Sequence, residues 1–463
     1  MSISEIDEKE TKKLDRSKPP APGEIRDVKF PDFFESKTDN GITVLVVEDR
    51  KLPLVSARFV IKAGAYFDGN NGSARSGLAS MTAELMTKGT SSHTATEISE
   101  QVDFLGAVLS SGCDYDASYV STYSLKKHFD KVFDIVTGIV IEPTFPEEEV
   151  KRVKDQRINS LLSYLDEGDY LASRVFSKYV YGDFPYAYPV EGIERDVEKM
   201  SSEDFKNFHK KYFNPSNMVI AFVGDISPEE AMLKVNERFR DIPAGDKAVF
   251  DKKLNDENKP SHVYLIEKKG SVQSSLKIGH KGISRDNPDF IKATVLNTLL
   301  GGSFTSRINH NLREVNAFTY GARSSFDWKK MGGDFYVDAE VKNVLTHDAV
   351  NEVIKELRII REELVKEDEL QSIKNFITGN FPLQLETAGA IASKLINLKL
   401  YDIEDDYYNT YLSKVNSITR EELLETAQKY IHPDNLVISI AGNPGEIEDS
   451  MKQIAEVTVL KEL

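Results

Sequence analysis

One cysteine, Cys113, in 463 residues leaves no partner for an intramolecular disulfide and no cysteine pair to grip a metal. By itself Cys113 reads as a small residue within a strand. Histidine is also sparse: His93, His128, His209, His262, His280, His310, His347 and His432 are scattered, and no two fall within one helical turn. A metal site would therefore have to be assembled by the fold from distant segments. No Ser-His-Asp or Cys-His arrangement suggests itself. No apolar run is long enough to span a bilayer. The N-terminus, MSISEIDEKETKKLDRSKPPAPG, has no apolar signal region, so the chain as written reads as soluble and cytoplasmic. Basic charge is short too. With 59 Lys and Arg against 75 Asp and Glu, the net charge is −16, which argues against nucleic acid or an anionic membrane as the main partner.

What is present exceeds one hydrophobic core, so two or more domains are expected. Residues 1–25 read as an extension ending in a Pro-rich turn. Strands at Phe34–Thr38 and Ile42–Glu48 flank Asp39-Asn40-Gly41, a strong hairpin signal, and Leu54–Ala63 continues as a third strand. Thr94 suits the cap of a helix to Leu105, and Ala107–Cys113 and Ala117–Leu125 alternate as strands. Helical periodicity then covers Phe129–Val140, Glu147–Tyr164, Tyr170–Val180 and Ser201–Tyr212, followed by an apolar strand at Met218–Val223 and a helix at Pro228–Phe239. The polar, Pro- and Gly-broken stretch 241–260 reads as a linker. Strands at Val263–Glu267 and Ser274–His280, a helix at Pro288–Leu300, strands at Tyr320–Phe326 and Asp334–Val341, and helices at Leu345–Leu364, Glu367–Phe376 and Ala388–Leu400 repeat the programme.

The repetition is visible in the residues. Segment 200–224, MSSEDFKNFHKKYFNPSNMVIAFVG, lies without a gap over 418–442, ITREELLETAQKYIHPDNLVISIAG. Glu203/Glu421, Lys211/Lys429, Tyr212/Tyr430, Pro215/Pro433, Asn217/Asn435, Val219/Val437, Ile220/Ile438 and Gly224/Gly442 are identical. A capped helix, a Pro turn, an apolar strand and a Gly exit are thus used twice. The expected fold is α+β, with two homologous domains of β-sheet covered by helices. The first is 26–240 and the second 261–463.

Gly77–Thr90 reads GLASMTAELMTKGT. Leu78, Met81 and Leu85 fall at i, i+3 and i+7, giving a helix one apolar face, and Gly89 behind Lys88 suits its end. Ser80, Ala83 and Glu84 occupy other positions of that helix. Taken alone they make a polar-to-small face: a hydroxyl is a poor metal ligand, Ala83 has no donor atom, and one carboxylate is not a site. The stretch, with its LMTKGT tail, resembles the zinc helix of insulinase/pitrilysin-type inverted-zinc metallopeptidases. That resemblance implies H-x-x-E-H with its three functional residues at 80, 83 and 84: two imidazoles holding zinc and a Glu activating its water. It also places a third ligand, a Glu, near Asn159 or Ser160, just before Asp166-Glu167-Gly168. None of these positions carries the family's side chain, so the resemblance implies a degenerate motif and no zinc in this chain.

A second element runs Gly301-Gly302-Ser303-Phe304-Thr305-Ser306-Arg307, then Ile308-Asn309-His310-Asn311-Leu312-Arg313-Glu314, then Phe318-Thr319-Tyr320-Gly321. It is similar to the G-G-x-x-x-S-R-L-x-x-x-L-R-E…Y element of the same family's C-terminal domain. It implies an Arg–Tyr pair, here Arg313 and Tyr320, facing the active site from the opposite domain. A guanidinium offers a rigid fork of donors for a peptide carbonyl, and a phenol O–H can donate to the oxygen that becomes negative during amide attack. The residues alone also allow Arg313 to pair with Glu314 and Tyr320 to pack in the sheet.

The resemblance extends from about Lys29 to the end. It implies half of a clamshell chamber, and matches heterodimeric members in which one subunit keeps the zinc motif while the other loses it and supplies the Arg–Tyr pair. On that reading the chain is a non-catalytic subunit that binds peptide, inactive alone, with zinc in a homologous partner. A structural assembly subunit and a homodimeric peptide-binding protein are the alternatives. Relatives of this kind imply a periplasmic or organellar location if a leader has been removed.

Overall fold

The computed structural model describes residues 28–69, 75–255 and 259–462. The expected N-terminal extension, 1–25, lies outside the described residues. The first half runs β1 (Phe34–Lys37), β2 (Thr43–Glu48), β3 (Leu54–Ile61), α1 (Leu78–Leu85), α2 (Ala95–Phe104), β4 (Val108–Cys113), β5 (Ser118–Leu125), α3 (Phe129–Ile141), α4 (Glu147–Tyr164), α5 (Gly168–Tyr181), a short α6 (Glu194–Val197), α7 (Ser202–Tyr212), β6 (Met218–Gly224) and α8 (Pro228–Phe239). The second runs β7 (His262–Glu267), β8 (Gln273–Gly282), α9 (Phe290–Asn297), a one-turn α10 (Arg307–Asn309), β9 (Ala322–Asp327), β10 (Gly333–Lys342), α11 (Thr346–Glu362), α12 (Glu367–Asn380), α13 (Ala388–Leu400), α14 (Tyr407–Ser417), α15 (Arg420–Tyr430), β11 (Val437–Gly442), α16 (Pro444–Met451) and β12 (Glu456–Leu460).

Two six-stranded sheets result, ordered β1-β2-β6-β3-β5-β4 and β12-β7-β11-β8-β10-β9. The duplicated segment becomes α7–β6 in one half and α15–β11 in the other, and β6 and β11 lie inside their sheets. Each pairs parallel with one neighbour, β2 or β7, and antiparallel with the other, β3 or β8. The outer strand differs. β1 comes from the N-terminal hairpin and is antiparallel to β2, whereas β12 comes from the C-terminus and is parallel to β7. Edge strands β4 and β9 are equivalent.

β6 is buried along all seven residues, which demands cover on both faces of its sheet. One face packs against the first half's own helices in a core that includes Phe59, Met81, Phe133, Val136, Phe222 and Val235. The other is covered from the second half: Ala392, Leu395, Ile396 and Leu398 of α13 bury against Leu45, Val60, Val219 and Ala221. The reverse holds for the second sheet, where Leu171, Ala172 and Val175 of α5 pack with Ile266 and Ala441. The halves therefore exchange helices. At roughly 1.5–3 kcal/mol for each fully buried Leu, Ile or Val, this exchanged layer is a major stabilising element. The 241–255 stretch also docks, with Phe250 4.7 Å from the Tyr66 ring and 4.9 Å from that of Phe67.

A polar lock sits in the same interface. Lys329, after β9, has a side chain only 5% exposed; its Nζ donates to Asp327 (2.6 Å), Asp334 (3.1 Å) and the Tyr181 hydroxyl (3.1 Å). Tyr181 in turn donates to Asp334 at 2.5 Å. Burial disfavours the ammonium, but Asp334 and Asp327 more than offset it and hold its pKa above the ordinary value. Two residues farther on, the Met331 amide donates to the Tyr186 hydroxyl, and Lys330 N–H to Asp116.

His280 of β8 fixes the far end of the second sheet. Its Nε2 accepts from the backbone N–H of His432 at 3.0 Å, so Nδ1 carries the proton and donates to the Lys281 carbonyl at 2.7 Å. Burial drives its pKa down to about 3 against the pull of the Lys281 carbonyl, and the nearby His432 and Arg361 charges add to the fall. The folded pKa lies below that of a free imidazole, so the unfolded chain takes up the proton first. The contribution is complete above about pH 6.5 and is lost as pH falls toward 3. His280→Gln should unfold at lower urea than wild type at pH 7.5. The gap should narrow by about 1.4 kcal/mol per pH unit below 6.5. Parallel stability–pH curves would contradict this account.

Candidate functional site

Helix α1 is held at its start by a buried carboxylate. Asp68 accepts from the backbone N–H of Gly77 and Ala79, both at 2.8 Å. Burial raises its pKa to about 8, against the pull of those N–H donors. Gly77 has φ +99°, and a Cβ there would come within 2.8 Å of Gly192 Cα, so only glycine fits. Leu78, Met81 and Leu85 are buried as their spacing predicts. The α-helix is shorter than the sequence suggests, tightening to a 3₁₀ turn over Met86–Lys88 before Gly89.

Ala83 is buried, while Ser80 and Glu84 stand one turn apart on the more open face. Between them lies the guanidinium of Arg157 from α4. Its Nη2 donates to Glu84 Oε2 at 2.6 Å, and Nη1 to Ser80 Oγ at 3.2 Å and the Glu191 carbonyl at 2.9 Å. The Arg157 side chain is 16% exposed. The space that a metal bridging positions 80 and 84 would need is thus filled by a fixed cation. These donors do not fit zinc: a hydroxyl, a methyl and a carboxylate already neutralised by arginine offer it no vacant basic ligand. Among the described residues, no group of three or more His, Cys, Asp or Glu is placed to hold a metal ion. Asn159 and Ser160, where the third ligand is expected, are exposed. What reaches α1 is Arg157, which sequence reading missed. The only signal was its place on α4 one turn ahead of Ser160.

The second element is a folded clasp. α9 widens into a π-type turn over Thr298–Gly302, where Gly301 lies so close to β9 that a Cβ would sit 2.4 Å from Ser324 N. Asn309 ties the loop together: its Nδ2 donates to the Phe304 carbonyl at 2.6 Å, and its Oδ1 accepts from Ala322 N–H at 3.1 Å. Arg307 forks onto Glu369 with two bonds of 2.7 Å. Arg313 lies in a second π-type turn, His310–Val315, over the Phe304 ring at 4.7 Å, with Nε 3.4 Å from Glu314. Tyr320 is 95% exposed in the bend two residues before β9, rather than packed in the sheet. Among the described residues, no hydrogen bond or ion pair joins Arg313 to Tyr320, or either of them to Ser80 or Glu84. Tyr320 shares a cavity of about 470 Å³ with Asp169, Lys277, Tyr336 and Asp338. Asp169 belongs to the first turn of α5, beyond the elbow that ends α4. That elbow is pinned to the second half by Lys268, whose Nζ donates to the Asp166 carbonyl at 2.6 Å.

Two helix-backed sheets, a degenerate metal helix in the first half and a glycine-rich clasp in the second define one half of a two-domain, clamshell-type metallopeptidase frame. Comparison with known proteins agrees. Residues 43–183 match the family model described as insulinase (peptidase family M16), and residues 199–377 match the one described as peptidase M16 inactive domain. The chain belongs to the insulinase, or M16, family. It is 24% identical to an uncharacterized zinc protease, YmxG, of Bacillus subtilis, over 79% of this chain and 89% of that one. It is 21% identical to the non-peptidase homolog YmxG of Helicobacter pylori, over 87% and 92%. A crystal structure titled peptidase M16 inactive domain, from Pseudomonas fluorescens, superposes with a TM-score of 0.84 at 25% identity, covering 89% of this chain and 98% of that one. A protease structure from Helicobacter pylori shares the fold, with a TM-score of 0.80 at 18% identity over 89% and 100%.

If the guanidinium occupies the metal's space, the double change Ser80→His/Glu84→His should bind zinc poorly while Arg157 remains. Adding Arg157→Ala should strengthen zinc binding markedly, as read by competition with a chromogenic chelator. Equal affinity with and without Arg157 would show that the side chain does not block the site.

Proposed function

We propose that this chain is a non-catalytic subunit of a heterodimeric zinc endopeptidase, inactive alone, which binds peptide in a chamber shared with a homologous subunit carrying an intact H-x-x-E-H. The observation that carries the reading is the asymmetry between its two elements. On α1 the metal's space is filled by Arg157, whereas the second-half clasp keeps its glycine packing, its internal bonds and a Tyr320 side chain 95% exposed.

Two further features support it. β4 is a free sheet edge beside α1 with Val108 59% exposed, suited to adding an extended peptide as one more strand. Arg313 is turned onto Phe304 and Glu314, contacts that a carbonyl or carboxylate could replace at modest cost, because ion pairs this exposed contribute little. In this reading zinc and the activating Glu belong to the partner, and Arg313 and Tyr320 polarise the scissile carbonyl from across the chamber. The name non-peptidase homolog, borne by the Helicobacter pylori relative, fits a chain without its own catalysis.

The test is co-expression with a homologous chain bearing H-x-x-E-H from the same genome, followed by a fluorogenic peptide assay. The purified chain should carry no stoichiometric zinc by plasma emission and cleave nothing. The pair should be active. Arg313→Ala and Tyr320→Phe should each lower turnover by about tenfold or more without disturbing assembly. Stoichiometric zinc in the chain alone would overturn the reading, and unchanged turnover in both variants would leave it an assembly role only.

A further inference from the structure

Two cations stand at equivalent places in the two halves. Residues 200–224 and 418–442 are duplicates, so Ala221 of β6 and Ser439 of β11 correspond. Arg58 of β3 pairs with Ala221 on one side, and Lys277 of β8 pairs with Ser439. The exchanged helix reaches each with a serine: Arg58 Nη1 donates to Ser393 Oγ of α13 at 2.5 Å, and Lys277 Nζ donates to Ser173 Oγ of α5 at 3.2 Å. Each cation also lies over a tyrosine of the next strand, two places along the register. Arg58 is 5.1 Å from the Tyr119 ring centre and Lys277 is 3.9 Å from that of Tyr336. Cation, serine and tyrosine are repeated as one constellation.

The correspondence breaks at one position. Opposite Lys277 in the ladder stands Asp338; opposite Arg58 stands Ser121. The second half therefore carries a carboxylate beside its cation, and the first half does not. Neither cation forms an ion pair within 4 Å among the described residues, but the Lys277 charge acts on Asp338 across the ladder, whereas Arg58 has no acid opposite it and its Nε is buried without a hydrogen-bond partner. Asp114 feels its charge but spends its own carboxylate on the backbone N–H groups of Asp116 and Ala117, both at 2.8 Å. The space differs accordingly. The cavity lined by Lys277 measures about 470 Å³, while that lined by Arg58 measures about 1460 Å³. Leu54, Val108, Val223, Leu385 and Ile391 give the larger cavity apolar walls. Of the four acids in its lining, Asp32, Glu48 and Asp49 are already paired with Lys29, Arg50 and Lys51, and the exposed Glu386 forms no ion pair among the described residues.

We propose that the cavity over the first sheet binds a carboxylate with an apolar body, whose head group takes beside Arg58 the place that Asp338 takes beside Lys277. A guanidinium with a free Nε–H and a desolvated setting favours a carboxylate over a neutral ligand, and the walls favour an aliphatic remainder. Such a group comes either from the C-terminus of an apolar peptide or from a free aliphatic acid. The site is separate from α1 and from the Arg313–Tyr320 clasp, and does not depend on the function proposed for them.

Calorimetric titration of the full chain with decanoate, decanol, acetyl-Leu-Leu-Leu and its C-terminal amide tests this. One or both acids should bind, and the alcohol and amide should not; whichever acid binds tighter identifies the source. Arg58→Gln, which keeps a donor toward Ser393, should weaken binding by about tenfold or more. Ser121→Asp supplies the missing carboxylate from within. It should abolish binding and raise the melting temperature, whereas Ser121→Ala should retain binding. The inference is overturned if neither acid binds, if the alcohol and amide bind as well as the acids, or if Ser121→Asp keeps wild-type affinity in a folded chain.

Discussion

A sheet buried on both faces cannot stand alone, and this chain meets that requirement by exchange. β6 is buried along its whole length, and the second cover of its sheet, α13, begins at Ala388, far downstream of the end of β6 at Gly224. The second sheet borrows α5 in return. Separating the halves would bare Val219 and Ala221 on one side and Ile266 and Ala441 on the other, and would strip Lys329 of Tyr181. The Lys329 ion pairs with Asp327 and Asp334 lie within the second half and would survive, but losing the Tyr181 hydroxyl removes hydrogen bonds to charged groups, each worth about 1.5–3 kcal/mol, before any apolar surface is counted. The two halves therefore behave as one body. Opening between these two sheets would expose the exchanged layer to water.

On that body, α1 shows how the fold fixes a helix independently of the side chains on its open face. Asp68 and Gly77 fix where the helix begins, and burial of Leu78, Met81 and Leu85 fixes its rotation, so positions 80 and 84 face α4 whatever side chains they carry. A carboxylate there needs a counter-charge, and Arg157 provides it. The pair is only partly shielded, so its net contribution to stability is small. Its structural effect is larger, because a guanidinium held by Ser80, Glu84 and the Glu191 carbonyl joins α1, α4 and the loop before α6 at the point where a metal would otherwise join them.

Much of this was legible in the residues. Asp39-Asn40-Gly41 marked the β1–β2 hairpin, Thr94 does cap α2 through a capping box with Glu97, and the α4 helix begins and ends where periodicity placed it. Local signals sufficed because each depends on residues a few places apart. The α14 and α16 helices and strand β12 went unread, their short patterns lying between stronger ones. The helix exchange was invisible because an amphipathic face does not say which sheet it will cover. Arg157 escaped for a related reason: one of several basic residues on an acid-fronted helix looks solvated until α1 is brought against it. The π-type turns at 298–302 and 310–315 interrupt an ordinary helical pattern where Gly301 must pass under Ser324, a contact that only tertiary structure defines.

Duplication lets the two copies of this frame carry different side chains at corresponding points. The backbone places side chains at corresponding points in both halves, and packing, not activity, preserves those points. On α1 the first half carries an internal ion pair between Glu84 and Arg157. At the paired cations the second half carries Asp338, whereas the first carries Ser121 and an open cavity. Each change alters a few side chains and leaves the ladder register intact, so neither threatens the exchanged layer that holds the molecule together. The positions that can diverge are those facing cavities. The residues that cannot are the ones, such as Gly301 and Lys329, where backbone or buried charge from one segment meets another with no space between them.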